Sequence, residues 1–142
     1  QVLFVISQDC MPKKKKHTIL IVEDHDALQD ILHTKFTEEG FDVVSATDGQ
    51  EALTKAMEHH PDMIILDLLM PKIDGRQVLQ KLRADSWGKL VPVIVYTNVS
   101  EAEGVDEVYR NQSYDYMVKA NHSLADVVTR VRQRLAMRGL AG

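Results

Sequence analysis

The sequence contains one cysteine, no long apolar run and no overall excess of basic residues. Cys10 has no second cysteine in the chain, which excludes an internal disulfide and any fold stabilised by a disulfide framework. None of the apolar runs approaches the roughly 20 residues that a membrane-spanning helix needs. With no convincing export signal either, we expect no membrane insertion and a cytoplasmic setting.

Charge is distributed unevenly along the chain. The net charge is −4, but a run of four lysines, Lys13 to Lys16, supplies much of the positive charge near the beginning. From Thr18 onward there are 20 acidic and 13 basic residues, so this part carries about −7. An acidic surface repels a phosphate backbone, and we therefore do not expect direct binding of nucleic acid.

Residues 1–17 differ in character from the rest of the sequence. A short apolar run, Val2 to Ile6, has no basic residues before it and no small-residue cleavage site after it. We interpret residues 1–17 as a tag- or leader-like or flexible segment and residues 18–138 as a single domain. Because only a few residues follow the last predicted helix, which ends near Met137, we expect no output domain.

Short apolar runs alternate with longer amphipathic stretches from Thr18 onward. The apolar runs are nearly continuous in valine, isoleucine and leucine, which is typical of parallel strands covered on both faces. The stretches between them have helical spacing. Strands are predicted at Thr18–Val22, Phe41–Ala46, Met63–Leu66, Val91–Tyr96 and Tyr114–Val118. Five strands alternating with five helices predict an α/β fold with a doubly wound parallel sheet.

Helix boundaries are indicated by short polar side chains and by glycine or proline. We expect Asp26 to cap the first helix, and Gly40 and His60-Pro61 to end the first and second. Three pairs have capping-box spacing: Asp48 with Glu51, Asp74 with Gln77, and Ser100 with Glu103.

Polar residues follow the predicted strands where each strand ends. They are Glu23 and Asp24 after the first strand, Asp67 after the third, Thr97 after the fourth and Lys119 after the fifth. The carboxyl ends of parallel strands form the ligand-binding edge of such a sheet. Neighbouring carboxylates repel one another unless a cation intervenes, and Mg²⁺ prefers oxygen ligands. This pattern predicts a site for phosphoryl transfer, which depends on positioning and charge neutralisation.

Four strings of sequence closely resemble the receiver domains of bacterial two-component response regulators, of the stand-alone type. They are Ile19 to Asp24, Asp67 to Pro71 with Asp74-Gly75, Val95 to Thr97, and Tyr116 to Lys119. The resemblance covers Thr18 to about Met137 and implies a flavodoxin-like (βα)₅ fold with strand order 2-1-3-4-5. It also implies a signalling switch rather than an enzyme.

The resemblance assigns a role to each site residue. Asp67 would accept a phosphoryl group from a sensor histidine kinase or a phosphotransfer protein. Thr97 and Lys119 would bind phosphoryl oxygens, and Thr97 with Tyr116 would form the conformational switch. The metal ligands would be Glu23, Asp24, Asp67 and the backbone carbonyl of Leu69, holding Mg²⁺ with Mn²⁺ as an alternative ion. A downstream protein would bind the switched form, and the chain itself would be a monomer or a phosphorylation-dependent dimer.

Two departures from the family pattern affect these expectations. Ala120 follows Lys119 where the family usually has proline with a cis peptide bond, so the isomer here is open. Leu69 and Val99 flank the site at positions where many family members carry polar side chains. Because apolar groups cannot orient a hydrolytic water, we predict slow self-dephosphorylation.

Three other functions fit the sequence less well than the phosphorylation switch. A pseudo-receiver that binds partners without phosphorylation normally lacks an acid, the threonine or the lysine, and this chain has them all. A flavin-binding carrier would have a hydroxyl- and glycine-rich loop after the first strand, whereas residues 23–26 here read Glu-Asp-His-Asp. A phosphatase with an aspartyl intermediate would carry a second aspartate two residues after Asp67, where this chain has Leu69.

Overall fold

The computed structural model describes residues 16–99 and 114–141, with side chains described as far as Arg138. The strands are β1 (Thr18–Val22), β2 (Asp42–Ala46), β3 (Met63–Leu66), β4 (Val93–Thr97) and β5 (Asp115–Val118). The helices are α1 (Asp26–Glu38), α2 (Gly49–His59), α3 (Gly75–Ala84) and α4 (Leu124–Ala141), and a short 3₁₀ turn covers Lys119–Asn121. The helix predicted to begin at Ser100 lies outside the described residues.

The five strands form one parallel sheet in the order β2-β1-β3-β4-β5. Val22 lies opposite both Ala46 and Leu66, so β1, β2 and β3 end at the same level. Thr97 lies opposite Val118 at the end of the β4–β5 pair. The predicted α/β class, the parallel sheet and the strand order are therefore confirmed.

Alternate strand residues pack on opposite faces of the sheet, and both faces are covered. Leu20 and Ile64 belong to the core cluster under α2 and α3, whereas Ile21 and Ile65 belong to the cluster under α1 and α4. All four are at most 1 % exposed. Period-two alternation between two buried faces explains why the strands read as continuous apolar runs.

The helix boundaries confirm most of the predicted caps and correct one. Asp74 forms a complete capping box with Gln77 at the start of α3. Asp26 is the first helical residue rather than the cap, and the cap is His25, whose Nδ1 accepts a hydrogen bond from the Leu28 N–H at 3.4 Å. His25 stays outside the helix because its own N–H donates to the Glu23 carboxylate at 3.0 Å.

The ends of α1 and α2 both use left-handed backbone. Gly40 has φ of +96° after α1, as its predicted role requires. His60 has φ of +43° after α2, and its ring stacks on Trp87 with centroids 4.3 Å apart and planes 9° apart. Trp87 also packs against the core cluster under α2 and α3. In the described part of the chain, no helix combines the length and apolarity that crossing a bilayer demands.

Asp48 caps α2 and also pairs with Lys72 in the loop after β3, which predicts that acid lowers the stability of the fold. Its Oδ1 accepts the Glu51 N–H at 2.8 Å and its Oδ2 pairs with Lys72 at 3.3 Å. The backbone bond from Glu51, followed by Lys72, holds the pKa of the carboxyl below its usual range. Stability from a depressed carboxyl pKa is present above the unfolded-state pKa, about 4, and is lost as the pH falls through the folded-state pKa.

We therefore expect Asp48→Asn to unfold at a lower temperature than the wild type at pH 7, with the difference shrinking as the pH drops below about 4. Thermal melts between pH 7 and pH 3 measure this. Asp42→Asn, at an exposed position in β2, is the control. A difference that stays constant over this range would contradict the linkage.

Candidate functional site

Three carboxylates converge at the carboxyl edge of the sheet. Glu23 and Asp24 follow β1, and Asp67 follows β3. Because these two strands are neighbours and end at the same level, one oxygen of each carboxylate lies within 4.8 Å of the others. Glu23 and Asp67 are buried, whereas Asp24 is exposed. We call Glu23, Asp24, Asp67 and the adjoining Lys119 the acid pocket.

Lys119 neutralises part of this negative charge. Its Nζ donates to Glu23 Oε1 at 2.5 Å and to Asp67 Oδ2 at 3.0 Å, and it lies 5.8 Å from the centroid of the Tyr96 ring. Burial opposes the charge on the ammonium, but the bonds and charges of Glu23 and Asp67 outweigh it and raise the pKa of Lys119. The ammonium is therefore charged and fixed between the two acids.

Glu23 is the most deeply buried of the acids, with 2 % of the residue exposed. Burial raises the pKa of its carboxyl, and the nearby Asp67 acts in the same direction. The bonds from Lys119 and from the His25 N–H oppose this rise. Glu23 is therefore a carboxylate whose charge costs free energy in this pocket, and an added cation would relieve that cost.

Asp67 is fixed at the beginning of the loop that follows β3. Its N–H donates to Val22 O at 3.1 Å, and its Oδ1 accepts the Leu69 N–H at 3.2 Å. Gly75 closes this loop, since its N–H donates to Leu68 O at 2.9 Å. Oδ2 faces Lys119, so the carboxylate is held by donors on both oxygens.

Thr97 and Tyr116 are both connected to Val99. Thr97 is fully buried at the end of β4, and its Oγ1 lies 3.5 Å from the Val99 N–H, a weak contact. The Tyr116 hydroxyl donates to Val99 O at 2.6 Å. The two residues predicted to form the switch are thus linked through the backbone of one residue.

The donor set of the acid pocket fits a hard divalent cation. Carboxylate oxygens from Glu23, Asp24 and Asp67 are the ligands that Mg²⁺ prefers, and the exposed Asp24 leaves one side open for water or a phosphate. Leu69 lies two residues after Asp67 with its side chain 52 % exposed. The role of its backbone carbonyl as a ligand stays a prediction.

The structure also contains site features that the sequence interpretation missed. Gln29 is buried and bonds to the backbone at the base of the acid pocket, and Tyr96 provides a ring beside Lys119. The helical spacing of Gln29 with Leu32 and Phe36 was a signal in the sequence, because residues three and four apart share one face of a helix. All described peptide bonds are trans, including the bond after Lys119.

Comparison with known proteins identifies the family. Residues 19–132 match the response regulator receiver domain. The probable transcriptional regulator ycf27 of Porphyridium aerugineum is 39% identical over 105 residues, which are 74% of this chain and 42% of that protein. The chain therefore spans less than half the length of this curated relative.

Solved receiver structures superpose on most of the chain. The receiver domain of the Francisella response regulator 1452 has a TM-score of 0.77 and 29% identity, covering 87% of this chain and 99% of that one. The response regulator TrrA of Thermotoga maritima was solved in complex with Mg²⁺-BeF. It has a TM-score of 0.71 and 28% identity, and the match covers 84% of this chain and 98% of that one. With its parallel sheet and its acid pocket at the carboxyl edge, the chain belongs to the response regulator receiver domains of two-component signalling.

Proposed function

We propose that this chain is a phosphorylation switch in which Asp67 accepts a phosphoryl group with Mg²⁺ bound beside it. The observation that carries the proposal is the convergence of carboxylate oxygens from Glu23, Asp24 and Asp67 within 4.8 Å. Lys119 pairs with two of these acids, Glu23 and Asp67. Three acids and one ammonium leave an excess of negative charge in the pocket, which favours the binding of a further cation. That arrangement also fits the family, one member of which was solved with Mg²⁺-BeF.

Asp67 provides the nucleophile. A carboxylate oxygen of Asp67 attacks the phosphorus of a phosphohistidine on a kinase or phosphotransfer protein, and a new P–O bond forms. The P–N bond breaks, and the imidazole nitrogen leaves with the electron pair and takes up a proton. Asp67 suits this role because its carboxylate accepts bonds from Lys119 and the Leu69 N–H and is thereby held in place.

Charge neutralisation decides whether the product is tolerated. The acyl phosphate carries roughly −1.5 to −2 charges where the Asp67 carboxylate carried about −1, in a pocket that also holds the carboxylates of Glu23 and Asp24. Glu23, Asp24, Asp67 and the Leu69 carbonyl would hold Mg²⁺, which supplies positive charge to the phosphoryl oxygens, with Mn²⁺ as an alternative ion. Lys119 is positioned to bind another oxygen, because its ammonium already contacts Asp67 Oδ2.

The switch would run through Val99. If the Thr97 hydroxyl turns to donate to a phosphoryl oxygen, its weak contact with the Val99 N–H is lost. The Val99 carbonyl is the acceptor for the Tyr116 hydroxyl, so movement at the end of β4 changes the position that the Tyr116 ring prefers. Phosphorylation would thus alter the surface near β5 that a downstream protein reads.

The proposed setting is cytoplasmic, with a sensor histidine kinase or phosphotransfer protein as donor and an unidentified protein as target. Several curated relatives are transcriptional regulators of about twice the matched length, and one of them, RpaA of Synechocystis sp., is named as DNA-binding. For this chain we propose signalling without direct nucleic acid contact, and without an enzymatic activity other than self-catalysed phosphoryl transfer. A pseudo-receiver is the second candidate, but the pocket here has every titratable group that the reaction uses.

Intact-mass analysis after incubation with acetyl phosphate tests the proposal. We expect the mass to rise by one phosphoryl group in the presence of Mg²⁺ and not when the metal is chelated. Asp67→Asn should show no gain under either condition. Asp42→Asn, an exposed aspartate in β2, is the matched control and should behave as the wild type. Equal phosphorylation of Asp67→Asn and the wild type would refute the proposal.

Slow loss of the phosphoryl group is a separate prediction. Leu69 and Val99 flank the site with apolar side chains, and neither can hold a water for attack on the phosphorus. We expect the acyl phosphate to outlast the time of desalting after acetyl phosphate is removed. Mass spectra taken at intervals after desalting measure the decay. Loss within seconds in the wild type would contradict this inference while leaving phosphorylation itself intact.

A further inference from the structure

We propose that Gln29 is a positioning residue for the acid pocket, and that its buried side-chain amide sets the affinity for Mg²⁺. The amide holds the backbone after β1 in the conformation in which Glu23 and Asp24 can share a cation with Asp67. This inference rests on the proposed function and deepens it, because it names a residue that touches neither metal nor phosphate but determines how well both are held.

Burial is the first reason. Gln29 is 6 % exposed and belongs to the stripe of α1 that faces the sheet, together with Leu32 and Phe36 at 1 % and 0 %. An apolar side chain would fit such a position, whereas an amide placed there loses its water and must find partners in the protein. A glutamine in this stripe therefore performs a task that a leucine does not.

The partners of the amide define that task. Gln29 Nε2 lies 3.2 Å from Ile21 O, 3.2 Å from Glu23 O and 3.0 Å from Ala46 O. Ala46 O also accepts the Glu23 N–H at 3.0 Å. The amide therefore joins the ends of β1 and β2 to the first residue of the acid loop, at the point where strand pairing stops.

The amide acts as a donor only. All three of its neighbours are backbone carbonyls, which fixes the nitrogen on that side. Its Oε1 is buried and accepts no hydrogen bond from the residues that the structure describes. Replacing the amide by an isosteric group that cannot donate thus removes its contacts with all three carbonyls, of which Ala46 O keeps the Glu23 N–H, and leaves no donor unsatisfied.

Glu23 and Asp24 depend on this support to different degrees. The Glu23 carboxylate has further partners of its own, the His25 N–H and Lys119. The Asp24 side chain is exposed and, among described residues, makes no hydrogen bond or ion pair. Asp24 is therefore placed by the backbone alone, and the backbone of the preceding residue is what Gln29 holds. Outer-shell groups of this kind typically change metal affinity by about 10- to 100-fold when removed.

Calorimetric titration with MgCl₂ tests the inference on Gln29→Met and Gln29→Leu, two uncharged apolar replacements that cannot donate a hydrogen bond. We expect the Kd for Mg²⁺ to rise about 10- to 100-fold in both. The gain in melting temperature that saturating Mg²⁺ gives the wild type should shrink accordingly, since ligand stabilisation depends on Kd. Two different replacements guard against one that fails to fold.

Leu135→Ala is the control for loss of stability alone, because Leu135 is a buried residue of α4 outside the acid pocket. It should melt at a lower temperature but bind Mg²⁺ with the wild-type Kd. Wild-type Kd in a folded Gln29 variant, or an equal loss of affinity in Leu135→Ala, overturns the positioning role. Absence of Mg²⁺ binding by the wild type would instead overturn the proposed function, so the two failures are distinguishable.

Discussion

Lys119→Met should lower the free energy of unfolding by about 3 kcal/mol and slow phosphorylation by acetyl phosphate about 100-fold. Glu23 and Asp67 are 2 % and 6 % exposed, and both carboxylates bond to the Lys119 ammonium. Removal of one partner from a buried ionic group leaves the other charges without compensation, which is the costly case. The rate falls because a donor positioned for the developing phosphoryl charge is lost. Urea unfolding and time-resolved mass spectra measure the two effects.

Two further substitutions serve as comparisons for Lys119→Met: one tests charge against geometry at Lys119, and the other removes a lysine elsewhere. Lys119→Arg keeps the charge but replaces a compact ammonium by a planar guanidinium. Its free energy of unfolding should therefore return closer to the wild-type value than its phosphorylation rate does. Lys72→Met removes a lysine that is 69 % exposed and paired with Asp48, and should change stability by less than about 1 kcal/mol without slowing phosphorylation. The electrostatic account fails if Lys119→Met and Lys72→Met behave alike.

Gly75→Ala is expected to disturb the loop that carries Asp67. A Cβ at Gly75 would lie 2.3 Å from Asp67 O and 2.6 Å from Leu68 Cα, both backbone atoms that cannot rotate away. Alanine is the better helix former by up to about 1 kcal/mol, but the clash outweighs that gain. We expect a net loss of about 2 kcal/mol, within the usual range for overpacking. Because the loop carrying Asp67 must shift, phosphorylation should slow about 100-fold.

Gly40→Ala is the matched comparison for Gly75→Ala. Gly40 has φ of +96° and open space around the position of a Cβ, so the penalty is backbone strain of about 1–2 kcal/mol without a collision. Its position after α1 separates it from the loop of Asp67. We expect denaturant unfolding to report a loss in both variants and mass spectrometry to report slow phosphorylation only in Gly75→Ala. Normal phosphorylation of Gly75→Ala would show that the loop tolerates the shift.

The sequence was sufficient for the sheet and for the location of the acid pocket. Continuous apolar runs indicated strands buried on both faces, and the parallel arrangement brought the residues after those runs to one edge. Strand limits differed by one or two residues: β4 begins at Val93, because Pro92 has no N–H to contribute to the ladder. β2 begins at Asp42, one residue after the buried Phe41.

What the sequence could not predict depends on side chains meeting across the fold. Lys119 was expected opposite the metal, and nothing in its spacing showed that it also bonds to Glu23, 96 residues away. Asp26 was predicted as the cap of α1 from its residue type, and the spacing did not show that the His25 N–H bonds to the Glu23 side chain. The role of Gln29 could not be predicted, since it depends on carbonyls from β1, from β2 and from the loop after β1.

The contact between His60 and Trp87 provides an intrinsic fluorescence signal for unfolding. Trp87 is the single tryptophan of the chain, and its indole ring lies face to face with an imidazole at 4.3 Å. Unfolding separates the two rings and exposes the indole to water, so the emission spectrum of one residue follows the packing of α2 against the segment after α3. Denaturation of each variant can therefore be recorded from intrinsic fluorescence, without attaching a dye near the acid pocket.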